Sequence, residues 1–149
     1  MKHLRITALI AATLSLGVVL PIARAALPPM SSAEQQKRSD AIIEGRILDI
    51  QKGVAPGTVG ENNTFTARVL ITKARKGKSL RKNSTVRVRW WTIRSRPEGW
   101  VGPSGQYDAP KKGEKRTLFL TKAPKGAGYN FDLLEPNGST SLPATSQGG

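Results

Sequence analysis

Residues 84–93, STVRVRWWTI, decide the fold. Val86, Val88 and Trp90 fall on one parity and Arg87, Arg89 and Trp91 on the other. This is the two-residue period of a strand with one apolar and one solvated face. Four further runs carry the same kind of signal: 41–50 (AIIEGRILDI), 64–74 (TFTARVLITKA, with Phe65, Ala67, Val69 and Ile71 on one face), 115–121 (KRTLFLT) and 128–134 (GYNFDLL). β-Branched and aromatic residues fill these runs, and Gly, Pro and Asn punctuate them. Outside them only 33–40 (AEQQKRSD) allows a marginal helical turn or two, since it is polar throughout. The expectation is an all-β chain forming a small five-stranded antiparallel barrel of the OB type with a short N-terminal helix; a sandwich of similar size is the alternative.

The connections fit such a barrel. Residues 51–63 are Gly-rich, 75–83 (RKGKSLRKN) are strongly basic, 94–114 form a long loop with three prolines, and 122–127 (KAPKGA) read as a hairpin-like turn. The barrel domain is placed at 38–135, after a leader segment at 26–37. The low-complexity stretch 136–149 (PNGSTSLPATSQGG) is expected to be a disordered tail.

The first 25 residues read as a secretory signal peptide. Met1–Arg5 is a short basic region, 6–20 an uncharged apolar run, and Ala23-Arg24-Ala25 a small-x-small cleavage site. The apolar run is shorter than the roughly 20 residues of a membrane span. The expected location is therefore outside the cytoplasm, periplasmic or extracellular.

The whole chain of 149 residues carries a net charge of +14, with one histidine and no cysteine. Cleavage after Ala25 leaves 21 basic and 10 acidic residues, a net +11, and removes the single histidine, His3. Without His or Cys there is no Ser-His-Asp triad, no thiol nucleophile, no disulfide and no ordinary zinc or copper site. No catalytic residue, metal or cofactor is assigned from the sequence, and the chain is read as a non-enzyme. A chain of this length can still hold itself together through its core alone.

The strand pattern resembles the small secreted barrels of the netrin-like module and the N-terminal domain of tissue inhibitors of metalloproteinases. The resemblance spans 38–135. It rests on Asp40-Ala41-Ile42-Ile43-Glu44-Gly45-Arg46-Ile47, on Phe65–Val69 running into Lys76-Gly77, on Val86-Arg87-Val88, and on Lys112-Gly113-Glu114 leading to Phe119-Leu120. It implies an OB-type barrel. The inhibitors clamp a catalytic zinc with an N-terminal cysteine, and this chain has none, so that mechanism passes to no residue here.

Charge is concentrated within the barrel. From Arg68 to Lys125 there are seventeen Lys and Arg against three acids, Glu98, Asp108 and Glu114. Such a surface suits a polyanion, an envelope polysaccharide or a nucleic acid, through charge neutralisation and counterion release. It equally serves solubility and the protection of strand edges. The candidate binding residues are Arg87, Arg89, Arg94 and Arg96 with Lys76 and Lys78, flanked by Arg81 and Lys82. Trp91, Trp100 and Tyr107 are the candidate stacking groups. A protein-protein or inhibitor-like module acting through the 97–107 loop is the second possibility. The three loop acids admit a third, a small hydrolase with paired carboxylates, which a shared cleft would favour and scattered acids would disfavour.

Overall fold

The computed structural model describes residues 28–142. The expected signal peptide and the end of the expected tail, residues 143–149, lie outside the described residues. Among the described residues a single short helix, α1 (Ser32–Arg38), precedes six strands: β1 (Ala41–Pro56), β2 (Glu61–Lys76), β3 (Thr85–Ser95), β4 (Lys115–Lys122), β5 (Phe131–Leu133) and β6 (Ser139–Ser141). No helix among the described residues is long and apolar enough to cross a membrane.

The strand order is β1-β2-β3-β5-β4, and β4 pairs back onto β1, so five strands close into an OB-type barrel. The pairings are antiparallel except one: β3 and β5 run parallel, with Val88 opposite Phe131 and Arg89 opposite Asp132. The small all-β OB-like barrel expected from the sequence is thus formed, with this one parallel pairing among its otherwise antiparallel ladders. The cause of the parallel pairing is the long 96–114 segment, which carries the chain across the barrel end so that β4 enters beside β1.

The alternation in β3 holds. Val86, Val88 and Trp90 are buried and join Ile43, Ile47, Val69, Ile71, Leu118 and Leu120 in one core. Arg87 and Arg89 face out. In β4 the alternation is absent, because Arg116 to Leu120 are all buried. The inward residues fill the barrel, while outward Phe119 packs with Ile42, Leu134 and Met30 beneath the N-terminal segment.

β1 and β2 extend well into the Gly-rich connection. Their register continues to Pro56 opposite Glu61, leaving a four-residue tip closed by the Gly57 N–H on the Gly60 carbonyl. At the opposite end the β2–β3 turn folds under the barrel, and Leu80, 8% exposed, plugs it.

The helix forms in spite of its polar sequence because its start is capped. Ser31 accepts from the Glu34 N–H, and the Glu34 carboxylate accepts from the Ser31 N–H, a reciprocal box. Those Ser31 bonds hold the Glu34 carboxyl below its ordinary value.

Residues 136–142 are ordered, contrary to the expected disordered tail. β6 pairs with β4, Arg116 opposite Ser141 and Leu118 opposite Ser139. Asn137 exchanges two 2.9 Å bonds with the Met30 backbone. A polar, low-complexity composition is retained here because the segment's partners are backbone groups and one buried arginine rather than apolar side chains.

Candidate functional site

The outward row of β3 does not form the open ladder of guanidinium groups expected from its sequence. Arg87 stands opposite Arg68, whose charge is met by Asp49 at 2.8 Å. Arg89 lies 3.2 Å from Asp132 and over the Tyr129 ring at 4.5 Å. Arg94 pairs with Glu61 at 3.3 Å. Arg96 is held most firmly: it donates to the carbonyls of Glu61 at 2.7 Å and Ser95 at 2.8 Å and to the Asn62 side chain. Its guanidinium also lies over the Trp91 and Trp100 rings, 5.9 and 5.5 Å from their centroids. Arg96 thus anchors the long loop to the β1–β2 tip, and of the four arginines only Arg87 has no carboxylate, aromatic or carbonyl partner for its side chain among the described residues.

The aromatic candidates separate in the same way. Trp100 is half-buried and rests on Gly102, where a Cβ would lie 2.0 Å from the ring. Trp91 is half-buried, with its indole N–H on the Glu135 carboxylate. Tyr107 is 48% exposed, and its backbone N–H bonds the Pro136 carbonyl.

Lys76 is not an open binding group. Its ammonium donates to the carbonyls of Gln36, at 3.0 Å, and Ser39, so it fastens the end of α1 to β2. Lys78 is exposed on the turn below, with Arg81 and Lys82.

The three loop acids do not share a cleft. Asp108 and Glu114 both bond the buried guanidinium of Arg116, at 2.8 and 2.9 Å, while Glu98 is exposed on the 97–100 turn. Among the described residues no group of three or more His, Cys, Asp and Glu could hold a metal ion.

The strand register brings a different set of cations to one end of the barrel. Ile42 of β1 stands opposite both Lys76 and Phe119, so the β2–β3 turn, the β4–β5 connection and the end of α1 meet there. They carry Lys37, Lys78, Arg81, Lys82, Lys122 and Lys125, and Arg87 follows two residues into β3. Ion pairs among the described residues engage Arg68, Arg75, Arg89, Arg94 and Arg116, and none of these seven. Asp40, the acid nearest in sequence to this end, accepts the Lys122 N–H at 2.8 Å. The sequence lists Lys37, Lys122 and Lys125 as charges, but only the barrel closure places them with the β2–β3 turn.

On the outer face of β3, β5 and β4 lies a groove of about 460 Å³. Arg89, Asp132 and Thr121 form one cross-strand row along it, and Arg38, Trp91 and Glu135 bound it. Burial raises the Glu135 carboxyl above its ordinary value; the Trp91 bond opposes the shift and the Asp132 charge adds to it. Burial, with the Asp132 charge, likewise raises the Tyr129 hydroxyl. No sequence spacing announced this groove, because its residues come from a helix and three strands.

No family model, no curated protein and no solved structure matches this chain.

Proposed function

We propose that this chain is a non-enzymatic binding module that takes an anionic polymer on the basic end of its barrel. The observation that carries the reading is the contrast in charge pairing. Arg89, Arg94 and Arg96 are engaged by intramolecular partners, whereas at the end formed by the β2–β3 turn, the β4–β5 connection and α1 the side chains of Lys37, Lys78, Lys82, Arg87, Lys122 and Lys125 have no partner among the described residues, and Arg81 bonds only carbonyls of its own turn. Unpaired, exposed ammonium groups neutralise phosphate, sulfate or carboxylate groups of a polymer and release its counterions. The secretory character of residues 1–25 supports a partner outside the cytoplasm, such as an envelope polysaccharide.

The test is retention of the protein on immobilised heparin through a salt gradient, with lysozyme as a basic control. Elution well above lysozyme is expected, and it should fall to the control in Lys78→Glu/Lys82→Glu. Unchanged retention of that variant would remove the basic end from consideration.

A second reading has its own observation. The exposed large apolar residues Val54, Val59, Ile93 and Val101 gather with the Trp100 loop at the opposite end of the barrel. Such a tip suits a protein contact that survives high salt. Loss of a salt-resistant partner on Val101→Asp would favour it over the polyanion.

A further inference from the structure

We infer that the groove between α1 and the outer face of β3, β5 and β4 is a binding site for a neutral sugar ring. It lies beyond the polyanion reading and does not depend on it, because its residues are not those of the basic end.

Its volume of about 460 Å³ is within the range of about 300–1,000 Å³ for small-molecule sites. Two guanidiniums, of Arg38 and Arg89, share its lining with two carboxyl groups, of Asp132 and Glu135. A surface balanced in this way gives a strong anion or cation no net attraction, in contrast to the unpaired basic end. It instead offers donors and acceptors side by side, which a ring carrying several hydroxyls can use together.

These groups are also held in place before any ligand arrives. Asp132 is fixed by Arg89 and by the Tyr129 hydroxyl, both at 3.2 Å. The Trp91 ring is fixed in rotation by its N–H on one oxygen of Glu135. No protein donor reaches the other Glu135 oxygen among the described residues, which leaves an acceptor for a ligand hydroxyl. Arg38, on the last turn of α1, has the Met30 sulfur, at 3.2 Å, as its only side-chain hydrogen-bond partner among the described residues, which leaves N–H groups for a ligand oxygen. An indole wall beside fixed carboxylates and a guanidinium matches a pyranose, whose C–H face packs on the ring while its hydroxyls bond the charged groups. Fixed polar groups reduce the ordering cost of binding.

The experiment is a titration of the full chain with three neutral tetrasaccharides, the β-1,4-linked N-acetylglucosamine and glucose oligomers and the α-1,4-linked glucose oligomer. It is followed by amide chemical shifts and tryptophan fluorescence. At least one of them is expected to bind with a Kd on the order of 1 mM or tighter. It should shift the amides of 89–91, 121 and 132–135 and not those of 78–82. Arg38→Ala, on an exposed helix position, and Glu135→Gln, which keeps an oxygen for the Trp91 N–H, should each weaken binding at least tenfold while leaving heparin retention unchanged. No saturable shift with any of the three overturns the inference. So does binding that centres on the β2–β3 turn, or binding that both variants retain in full. A protein that fails on heparin but binds a tetrasaccharide here would lose the polyanion reading and keep this one.

Discussion

Arg116 holds Asp108 through a forked contact, Nη1 to one carboxylate oxygen at 2.8 Å and Nη2 to the other at 3.1 Å. The arginine is buried, its side chain 6% exposed, whereas the Asp108 side chain is 62% exposed. Its Nε bonds Glu114, and its terminal nitrogens also reach the hydroxyls of Ser139 and Ser141. One guanidinium thus ties the end of the long loop and the start of β4 to the last strand. Burial works against its charge, but the Asp108 and Glu114 contacts outweigh it, so the group stays charged above its ordinary value. Arg116→Ala removes every one of these bonds and is expected to cost about 3 kcal/mol, measured by denaturant unfolding. Asp108→Ala leaves Glu114 in place, and the exposure of Asp108 screens the loss, so about 1 kcal/mol is expected. Equal costs would show that the arginine does not act as a hub.

The β2–β3 turn is held by packing rather than by its charges. Leu80 enters the barrel end, and a Cβ at Gly77 would lie 2.9 Å from its Cδ1 and 3.3 Å from the Ala41 Cβ. Gly77 also has a φ of +117°, which an L side chain rarely adopts. Leu80→Ala is expected to cost about 2–3 kcal/mol, and Gly77→Ala about 1–2 kcal/mol. Lys78→Glu and Lys82→Glu on the same turn should leave the thermal midpoint nearly unchanged. Thermal unfolding of the four variants separates packing from charge, and a large loss in the lysine variants would contradict the assignment.

Contact with a polyanion at the basic end has a salt signature. Each neutralised phosphate of a single strand contributes a slope of about 0.7 in log K against log salt concentration. Replacing Lys78, Lys82 and Lys125 together with alanine is expected to lower the slope by about 2 when the protein binds a single-stranded homopolymer. Arg94→Ala and Arg96→Ala should leave it unchanged, since both side chains are already engaged with Glu61 or its carbonyl. A slope that responds to Arg94 and not to the lysines would return the site to β3.

The barrel itself was readable because its decisive signal is local. The parity of Val86, Val88 and Trp90 against Arg87 and Arg89 requires only a strand and a water boundary. What lay out of reach was set by residues far apart in sequence. Lys76 reads as a surface cation until α1, some 40 residues earlier, presents the Gln36 carbonyl. Arg96 reads as part of a basic row until the loop brings Trp100 against it and the β1–β2 tip brings Glu61 and Asn62. The polar stretch at 139–141 gives no strand signal in composition, because what orders it is the free edge of β4 and the Arg116 side chain. The acids Asp132 and Glu135 had no motif, since their meaning comes from β3 lying parallel to β5.

Glu135 gives the fold a pH dependence opposite to that of Glu34. The Glu135 carboxyl is raised, chiefly by burial, so the folded chain binds its proton more tightly than the unfolded chain does. Its contribution to stability is therefore fully present below the ordinary glutamate range and is lost as pH rises through the raised value. Glu34 is lowered by its Ser31 bonds, and its contribution is present above the ordinary range and lost as pH falls. Glu135→Gln keeps an acceptor for the Trp91 N–H and removes the ionisation. It is expected to raise stability relative to the parent at neutral pH, with the difference shrinking toward zero as the solution is acidified below the glutamate range. Denaturant midpoints measured across pH 3 to 8 would check it. A variant that is less stable than the parent at neutral pH would mean that the charged carboxylate, held by Trp91, is the favoured form in the folded protein. The Trp91 hydrogen bond and the Arg89 charge would then outweigh burial and the Asp132 charge.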